Sequence, residues 1–367
     1  MARIRILVVD DSVVIRKVLS ETLSEDPELE IIGTASDGRL GLAKIAQLHP
    51  DLITLDVEMP VMNGLEALAE IRKLYPKLPV IMFSTLTEHG AGATLDALSL
   101  GASDYATKPS NTGSAAVAIE AIRAELIPKI KALCGVLTIR PLRPRPAPAP
   151  RIRISRRIEI VAIGTSTGGP NALAQVLPMF PKDFPIPIVV VQHMPPVFTR
   201  LLAERLAGRS AITVQEGTVG AVLRSGQAWI APGNFHMTVN RAGMDWCLDL
   251  NQDPAENSCR PAVDVLFRSV AAACRGNVLA VVMTGMGSDG VRGAGIIRAA
   301  GGEVIVQDEA SSVVWGMPGL VHAAGQADAV YPLEQLAPGI IRRVMQGRAP
   351  LSVPPLRRLT PQEARTK

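Results

Sequence analysis

The sequence predicts an α/β chain with two doubly wound parallel-sheet domains. In the first third of the chain, five short apolar runs alternate with amphipathic segments, as strands alternate with the helices that cover a parallel sheet. A segment rich in arginine and proline interrupts this pattern, and the alternation then resumes with longer connections. The 367 residues also suffice for two domains of roughly 150 residues each.

The composition is that of a soluble globular protein, with 47% hydrophobic and 20% charged residues. No apolar run approaches the ~18–20 residues that span a bilayer, and the N-terminus leads into a strand without a signal-peptide core. We therefore expect a cytoplasmic protein with no direct membrane insertion. The cysteines form no C-x-x-C pair and are predicted to be buried or free thiols. They are Cys134, Cys247, Cys259 and Cys274.

The positive charge is concentrated in residues 134–157, which contain seven arginines, five prolines and no acidic residue. Subtracting these seven charges from the net charge of +4 leaves −3 for the rest of the chain. No folded basic face is indicated, so we expect no nucleic-acid partner. We interpret the segment as a polyproline-like tether, the alternative being a basic peptide that docks on a partner. The predicted division is 1–133 first domain, 134–157 linker, 158–347 second domain and 348–367 flexible C-terminal tail.

The elements of both domains follow from short apolar runs. The first domain has predicted strands at 4–9, 29–34, 51–55, 79–83 and 103–106. The second has predicted strands at 158–163, 186–191, 228–230, 278–283 and 303–306, with a polar hairpin near 238–249. Ligands of such sheets bind beyond the carboxyl ends of the strands, so the residues just past each strand are the candidate site residues.

In the first domain these positions carry acids, hydroxyls and a lysine. They are Asp10-Asp11, Asp56, Ser84-Thr85 and Lys108-Pro109. Three carboxylates at one edge would repel one another unless a divalent cation neutralised them, and an oxygen-rich site suits Mg²⁺. A carboxylate held beside Mg²⁺, an ammonium and a hydroxyl is equipped to attack a phosphoryl donor and to hold the product.

With these residues and the stretch Leu55-Asp56-Val57-Glu58-Met59-Pro60, the first domain resembles the response-regulator receiver family, a flavodoxin-like fold. The resemblance implies that Asp56 is the phosphoacceptor and that Thr85 and Lys108 sense the phosphoryl group. It implies that a histidine kinase is the phosphodonor and that Tyr105 is the aromatic switch. It further implies an Mg²⁺ site formed by Asp10, Asp11, Asp56 and the backbone carbonyl of Glu58.

The first strand of the second domain opens into Gly164-Thr165-Ser166-Thr167-Gly168-Gly169-Pro170. This stretch contains G-x-S-x-G between a strand and a helix, as a nucleophile elbow does. Helix N-terminal amides, such as those of Thr167 and Gly168, could stabilise an oxyanion. The alternatives are a phosphate-binding turn or glycine-rich packing.

A serine nucleophile needs a base and an orienting carboxylate. His193 follows the next strand, in Gln192-His193-Met194-Pro195, and Asp289 follows the strand at 278–283. We therefore predict that Ser166, His193 and Asp289 meet at one rim of the sheet. The chain order Ser, His, Asp differs from the Ser, Asp, His order of α/β-hydrolases.

Two other classes of function compete with an esterase. Residues 285–290 also fit the dinucleotide fingerprint G-x-G-x-x-G, with Asp308 located 18 residues after Gly290. Such a fingerprint normally opens the first unit of its domain, and this one comes late. The other class is a receiver whose second domain only binds a partner or DNA, which the lack of a helix-turn-helix pattern disfavours.

The second domain resembles the chemotaxis-type protein-glutamate methylesterases, through 164–170, 192–195 and Thr284-Gly285-Met286-Gly287-Ser288-Asp289-Gly290. The resemblance implies a larger Rossmann-like esterase domain that needs no cofactor. The expected function is a phosphorylation-regulated serine hydrolase that demethylates glutamate methyl esters on chemoreceptors and releases methanol. The expected function also includes deamidation of receptor glutamines. The resemblance also implies that the unphosphorylated receiver covers an open catalytic cleft.

Overall fold

The computed structural model contains both predicted sheets and describes residues 3–108, 115–135, 157–346 and 348. Most of the predicted linker, nearly all of the predicted tail and Pro109 lie outside the described residues. Within the described part, no helix is both long and apolar enough to cross a membrane.

The first domain is a five-stranded parallel sheet covered by helices on both faces. Its strands are β1 (Ile4–Val9), β2 (Leu29–Ala35), β3 (Leu52–Asp56), β4 (Val80–Ser84) and β5 (Asp104–Thr107). Its helices are α1 (Val13–Ser24), α2 (Gly38–Leu48), α3 (Gly64–Leu74), α4 (Glu88–Ser99) and α5 (Ala115–Leu133). The strand order β2-β1-β3-β4-β5 is that of flavodoxin-like sheets, which confirms the predicted fold.

Side-chain caps begin the first four helices of this domain. Ser12, Asp37 and Thr87 each accept a hydrogen bond from a backbone amide in the first turn of α1, α2 and α4. Asn63 forms a capping box with Glu66 at the start of α3. These polar residues come directly before apolar-periodic segments, which is why the helices begin where they do.

The second domain is a seven-stranded parallel sheet with an antiparallel hairpin beside it. Its strands are β6 (Ile160–Thr165), β7 (Ile188–Gln192), β8 (Thr213–Glu216), β9 (Gln227–Ile230), β10 (His236–Ala242), β11 (Asp245–Asn251), β12 (Val278–Val282), β13 (Glu303–Gln307) and β14 (Ala329–Tyr331). Its helices are α6 (Gly169–Val176), α7 (Pro196–Ala207), α8 (Val263–Ala273), α9 (Val291–Ala299), α10 (Met317–Ala323) and α11 (Leu333–Met345).

The sheet order is β14-β13-β12-β6-β7-β9-β8, and the predicted hairpin is the pair β10–β11. The sequence prediction missed β8 and β14. Both are short strands at the edges of the sheet, with exposed or half-buried residues in place of a continuous apolar run. The first strand of the domain, β6, lies in the middle, so the chain order reverses there and creates a crevice at its carboxyl end.

Apolar side chains form three buried clusters. One covers a face of the first sheet and one covers a face of the second. The third contains the facing cores of both domains and runs continuously from one to the other, with Tyr105 and Phe198 among its members. The two domains are therefore packed together through apolar as well as polar contacts.

Candidate active site

Three adjacent strands of the second sheet, β12-β6-β7, carry the predicted Ser, His and Asp. Ser166 follows β6 and His193 follows β7, and the last residues of these strands, Thr165 and Gln192, are partners in the parallel ladder. Asp289 returns to the same rim through the turn that links β12 to α9. The structure therefore brings all three residues to the crevice where the strand order reverses.

Hydrogen bonds to Thr284, which follows β12, fix the turn that carries Ser166. Thr284 accepts hydrogen bonds on its carbonyl from Ser166 N at 3.0 Å and Thr165 Oγ1 at 2.8 Å, and its hydroxyl donates to Thr167 O at 2.9 Å. Gly168 has φ +77°, a left-handed conformation that favours glycine. A Cβ at Gly169 would lie 1.9 Å from Gln192 Oε1, so this position has no room for a side chain.

Gly168 is the N-cap of α6 and makes no side-chain cap. Within the described residues, the amides of Thr167 and Gly168 donate no hydrogen bond, so both remain available to an acceptor. This contrasts with the capped helices of the first domain. It fits the prediction that these amides bind an oxyanion.

The Asp289 carboxylate is almost fully buried, at 2% exposure, and accepts five hydrogen bonds. One comes from His193 Nε2 at 2.8 Å, and two come from backbone amides in the first turn of α8. The others come from Asn257 Nδ2 at 2.9 Å and Gly290 N at 3.0 Å. Burial acts to raise the pKa of Asp289, but His193 and the amides outweigh it and hold the pKa below its ordinary value.

His193 is bonded on both ring nitrogens, with Nε2 at Asp289 and Nδ1 at 3.5 Å from Cys259 Sγ. Burial acts to lower the pKa of His193, but Asp289 and Cys259 outweigh it and raise the pKa above its ordinary value of 6.5. Within the described residues, no hydrogen bond joins the Ser166 hydroxyl to His193. The His–Asp half of the predicted triad is thus assembled, with Ser166 at the same rim.

The first domain gathers its acids at the carboxyl ends of β1 and β3. Asp10, Asp11 and Asp56 each offer a carboxylate oxygen within 4.8 Å of the other two. Lys108 Nζ lies 2.9 Å from Asp10 Oδ2 and 2.7 Å from Asp56 Oδ2. Burial, the largest effect, and the nearby Asp10 raise the pKa of Asp56 to about 6 although Lys108 opposes them.

The same pocket fits a divalent cation. Asp10 Oδ2 and Asp56 Oδ2 are buried and form no hydrogen bond of good geometry, although both pair with the Lys108 ammonium. Their lone pairs are therefore available for coordination, and carboxylate oxygens are the ligands that Mg²⁺ prefers. Glu58 lies beside them, since its amide donates to Asp56 Oδ1 at 3.4 Å.

Comparison with known proteins assigns a family to each of the two parts of the chain. Residues 161–340 match the family model described as CheB methylesterase, and residues 6–120 match that of the response regulator receiver domain. A protein-glutamate methylesterase/protein-glutamine glutaminase from Trichodesmium erythraeum is 55% identical and covers 94% of this chain and 100% of its own length.

The chain belongs to the CheB methylesterase family. It is a hydrolase of chemotaxis that carries a response-regulator receiver. A relative of the same description from Nocardioides is 50% identical over 96% of this chain and 98% of its own length. The CheB methylesterase catalytic domain of Thermotoga maritima matches 50% of this chain and 97% of its own, with 42% identity and a TM-score of 0.50.

The glycine-rich turn at 285–290 is used differently from a dinucleotide fingerprint. Its Asp289 carboxylate is bound to His193 and to the start of α8. The Asp308 carboxylate accepts from Ser311 N at 3.1 Å, within its own loop. Family membership and these contacts favour the esterase interpretation.

No sequence pattern indicated that the loop before α8 contributes to this site, but two of its residues contact Asp289 and His193. Asn257 Nδ2 bridges Asp289 and the buried Asp264, to which it donates at 3.0 Å. Cys259, expected only as a free thiol, contacts His193. The one available signal was a polar run, 256–261, directly before an apolar helix.

The receiver contacts the methylesterase domain beside Ser166. Thr167 donates from Oγ1 to Asp104 Oδ2 at 2.9 Å, one residue from Ser166. Tyr105 stacks on Phe198 of α7, with ring centroids 4.7 Å apart. The predicted switch residue of the receiver is therefore buried in the contact between the domains.

Proposed function

We propose that this chain hydrolyses γ-methyl esters of glutamate side chains on methyl-accepting chemoreceptors, with Ser166, His193 and Asp289 as its triad. The observation that carries the proposal is the His193–Asp289 pair, 2.8 Å apart, at the same rim as Ser166 on adjacent strands. The names of the relatives at 55% and 50% identity support the substrate class.

The contacts of His193 indicate which of its ring nitrogens acts as the base. Because Nε2 is held by Asp289, Nδ1, whose contact with Cys259 Sγ is long at 3.5 Å, would take the proton when Ser166 Oγ attacks the ester carbonyl. The amides of Thr167 and Gly168 would bind the oxygen that becomes negative. Collapse of this adduct breaks the C–O bond to the methoxy group, whose oxygen takes the proton from His193 and leaves as methanol.

Water completes the cycle. His193 Nδ1 removes a proton from the water molecule as its oxygen attacks the acyl-enzyme. The C–Oγ bond then breaks, and His193 gives its proton to Ser166 Oγ, which regenerates the serine and leaves a glutamate side chain. A glutamine side chain can form the same acyl-enzyme with ammonia as the leaving group. We therefore extend the proposal to deamidation of receptor glutamines, as the relatives' names support.

We assign regulation to the receiver. Asp56 would attack the phosphorus of a phosphohistidine on a partner kinase, forming a P–O bond as the P–N bond breaks. Asp10, Asp11, Asp56 and the Glu58 carbonyl would hold Mg²⁺, which neutralises the phosphoryl oxygens when bound. Lys108, already paired with Asp10 and Asp56, would rearrange onto the new phosphoryl group.

Two routes connect this pocket to the methylesterase domain. Thr85 Oγ1 lies 3.0 Å from Thr87 Oγ1, and Thr87 caps α4 through Gly90 N at 3.1 Å. A phosphoryl group that draws Thr85 inward would disturb this cap at the start of α4. The second route is Tyr105, whose ring is stacked on Phe198. We infer that phosphorylation loosens the contact of the receiver with the catalytic cleft.

The setting of this function would be the cytoplasm, where receptor signalling helices and the kinase are both accessible. We also propose that the division into 1–133, 134–157, 158–347 and 348–367 describes the receiver, linker, catalytic domain and tail.

The test is hydrolysis of methylated receptor membranes, measured as methanol release. We expect Ser166→Ala to abolish release while Asp56 still accepts phosphate from a phosphodonor. A fluorophosphonate probe should label the wild type and not the variant. Undiminished methanol release by Ser166→Ala would refute the assignment of the nucleophile.

A further inference from the structure

Helix α7 carries two arginines that pair with acids of the receiver, and we call them the Arg200/Arg205 surface. Arg200 also pairs with Glu204 of its own helix, at 3.1 Å. The helix begins at Pro196, shortly after His193, so its first turn adjoins the catalytic rim. Arg200 Nη2 lies 2.7 Å from Glu88 Oε1, and Arg205 Nη1 lies 2.8 Å from Asp96 Oδ1. Both acids belong to α4 of the receiver.

The contacts on α4 form a single stripe. Glu88 and Asp96 are separated by two turns of helix, about 12 Å along the axis. Between them, the Gly92 carbonyl accepts from Arg205 Nη2 at 2.7 Å. Residues four apart lie on one face of a helix, so positions 88, 92 and 96 share the face of α4 that meets α7. This face presents two carboxylates that are eight residues apart.

Another helix could take the place of α4 in its contact with α7. The side chains of Arg200 and Glu88 are 43% and 70% exposed, and ion pairs so exposed contribute little to stability because water screens them. Apolar packing also leaves a small cavity of ≈ 20 Å³ where α4, α6 and α7 meet. Its apolar lining includes Leu95, Leu98 and Leu202.

We propose that the Arg200/Arg205 surface is the docking surface for the substrate helix of the receptor, and that α4 of the receiver takes the place of that helix. The proposal rests on the proposed function. A methyl ester is neutral, so charge cannot mark the target side chain itself. Each turnover, however, leaves a carboxylate on the substrate helix, and a helix with several target sites is therefore acidic in every partly methylated state. Two arginines on the helix that follows His193 would attract such a helix by charge complementarity.

The experiment uses the full chain with acetyl phosphate and Mg²⁺, and two substrates, methylated receptor membranes and p-nitrophenyl acetate. For Arg200→Glu with Arg205→Glu, we expect the KM for receptors to rise at least tenfold. Hydrolysis of the small ester should become faster without the phosphodonor, because the contact with α4 is also lost. The double lysine variant should recover most of the receptor KM. Arg224→Glu is the matched control, since Arg224 pairs with Asp245 on the exposed β10–β11 hairpin.

A competitor provides a second readout on the wild type. A helical peptide with glutamates eight residues apart should inhibit receptor demethylation but not small-ester hydrolysis, and its glutamine version should inhibit neither. An unchanged receptor KM in the glutamate variant, or equal acceleration on both substrates, would overturn the docking surface. Lack of hydrolysis of both substrates by the wild type would instead overturn the proposed function.

Discussion

Asp56 and Asp289 are both buried carboxylates near the carboxyl end of a parallel strand, but they differ in the number of hydrogen-bond donors around them. Asp56 accepts one backbone hydrogen bond, at 3.4 Å, beside the ammonium of Lys108. Asp289 accepts five hydrogen bonds, two of them from the start of α8. Burial raises the pKa of Asp56 to about 6, whereas the donors around Asp289 overcome burial and lower its pKa.

This difference teaches that burial alone does not decide the charge state of a carboxylate. The number and placement of donors decide it. A carboxylate that reacts and binds a cation needs oxygens with few donors around them, as Asp56 has. A carboxylate that orients an imidazole needs a fixed charge and position, as Asp289 has.

The largest expected effect comes from removing the charge of Asp289. In Asp289→Asn the side-chain NH₂ must face one of the donors that the carboxylate accepts. We expect kcat to fall by about 10³–10⁴-fold, the size of effect typical when a triad aspartate loses its charge. Steady-state hydrolysis of receptors and of a small ester measures it.

Asp308→Asn is the matched control, because Asp308 follows the neighbouring strand β13 and bonds within its own loop. This control should keep its activity. A loss of less than tenfold in Asp289→Asn would contradict the orienting role.

Asp56→Asn should stabilise the fold. A raised pKa means that the ionised carboxylate is disfavoured in the folded state. Its favourable protonated form is fully present below the ordinary pKa of 3.8 and is lost as the pH rises through about 6. At pH 8 without Mg²⁺, the neutral amide should therefore raise the free energy of unfolding by about 1–3 kcal/mol. Chemical denaturation measures this change.

The same variant should lose all stimulation of the esterase by a phosphodonor. Asp11→Asn, at an exposed position, should change the unfolding free energy by no more than about 0.5 kcal/mol. Destabilisation by Asp56→Asn would show that the pair with Lys108 outweighs the cost of burying the charge.

The smallest expected effect is a shift in the pH profile of the esterase. Because the pKa of His193 is raised, the imidazole holds its proton at neutral pH and the base form is scarce. The kcat/KM for an ester should therefore rise with pH, by about tenfold per unit below a midpoint that lies above 6.5. In Cys259→Ala the midpoint should move to lower pH, since the thiol contributes to the raised pKa.

Cys247→Ala is the control for the loss of a thiol, because Cys247 lies on the β10–β11 hairpin. A flat profile between pH 6 and 9, or the same midpoint in both cysteine variants, would count against the contact of Cys259 with His193.

Much of this architecture could be predicted from sequence because the candidate site residues lie in the segments that leave the carboxyl ends of buried strands. Ser166, His193 and Asp289 are far apart in the chain, but parallel strands place their carboxyl ends at one edge. Strand positions were predicted to within about two residues, as with 158–163 against the observed Ile160–Thr165.

What the sequence could not show depends on tertiary approach. Asn257 and Cys259 reach the site only because their loop folds over the start of α8, and no periodicity marks such a loop. The edge strands β8 and β14 are stabilised by pairing with a neighbour more than by their own apolar residues. The identity of the surface that meets α4 likewise depends on how two separate domains pack.

The hydrogen bond between Thr167 and Asp104 connects the nucleophile turn to β5, the strand that leads to Lys108. Equilibrium coupling between two sites is reciprocal. Under the proposed regulation, any factor by which phosphorylation strengthens receptor binding is also the factor by which a bound receptor favours the phosphorylated form. The supply of methylated receptor would then help to set how much of the enzyme stays switched on, independently of how fast the kinase delivers phosphate.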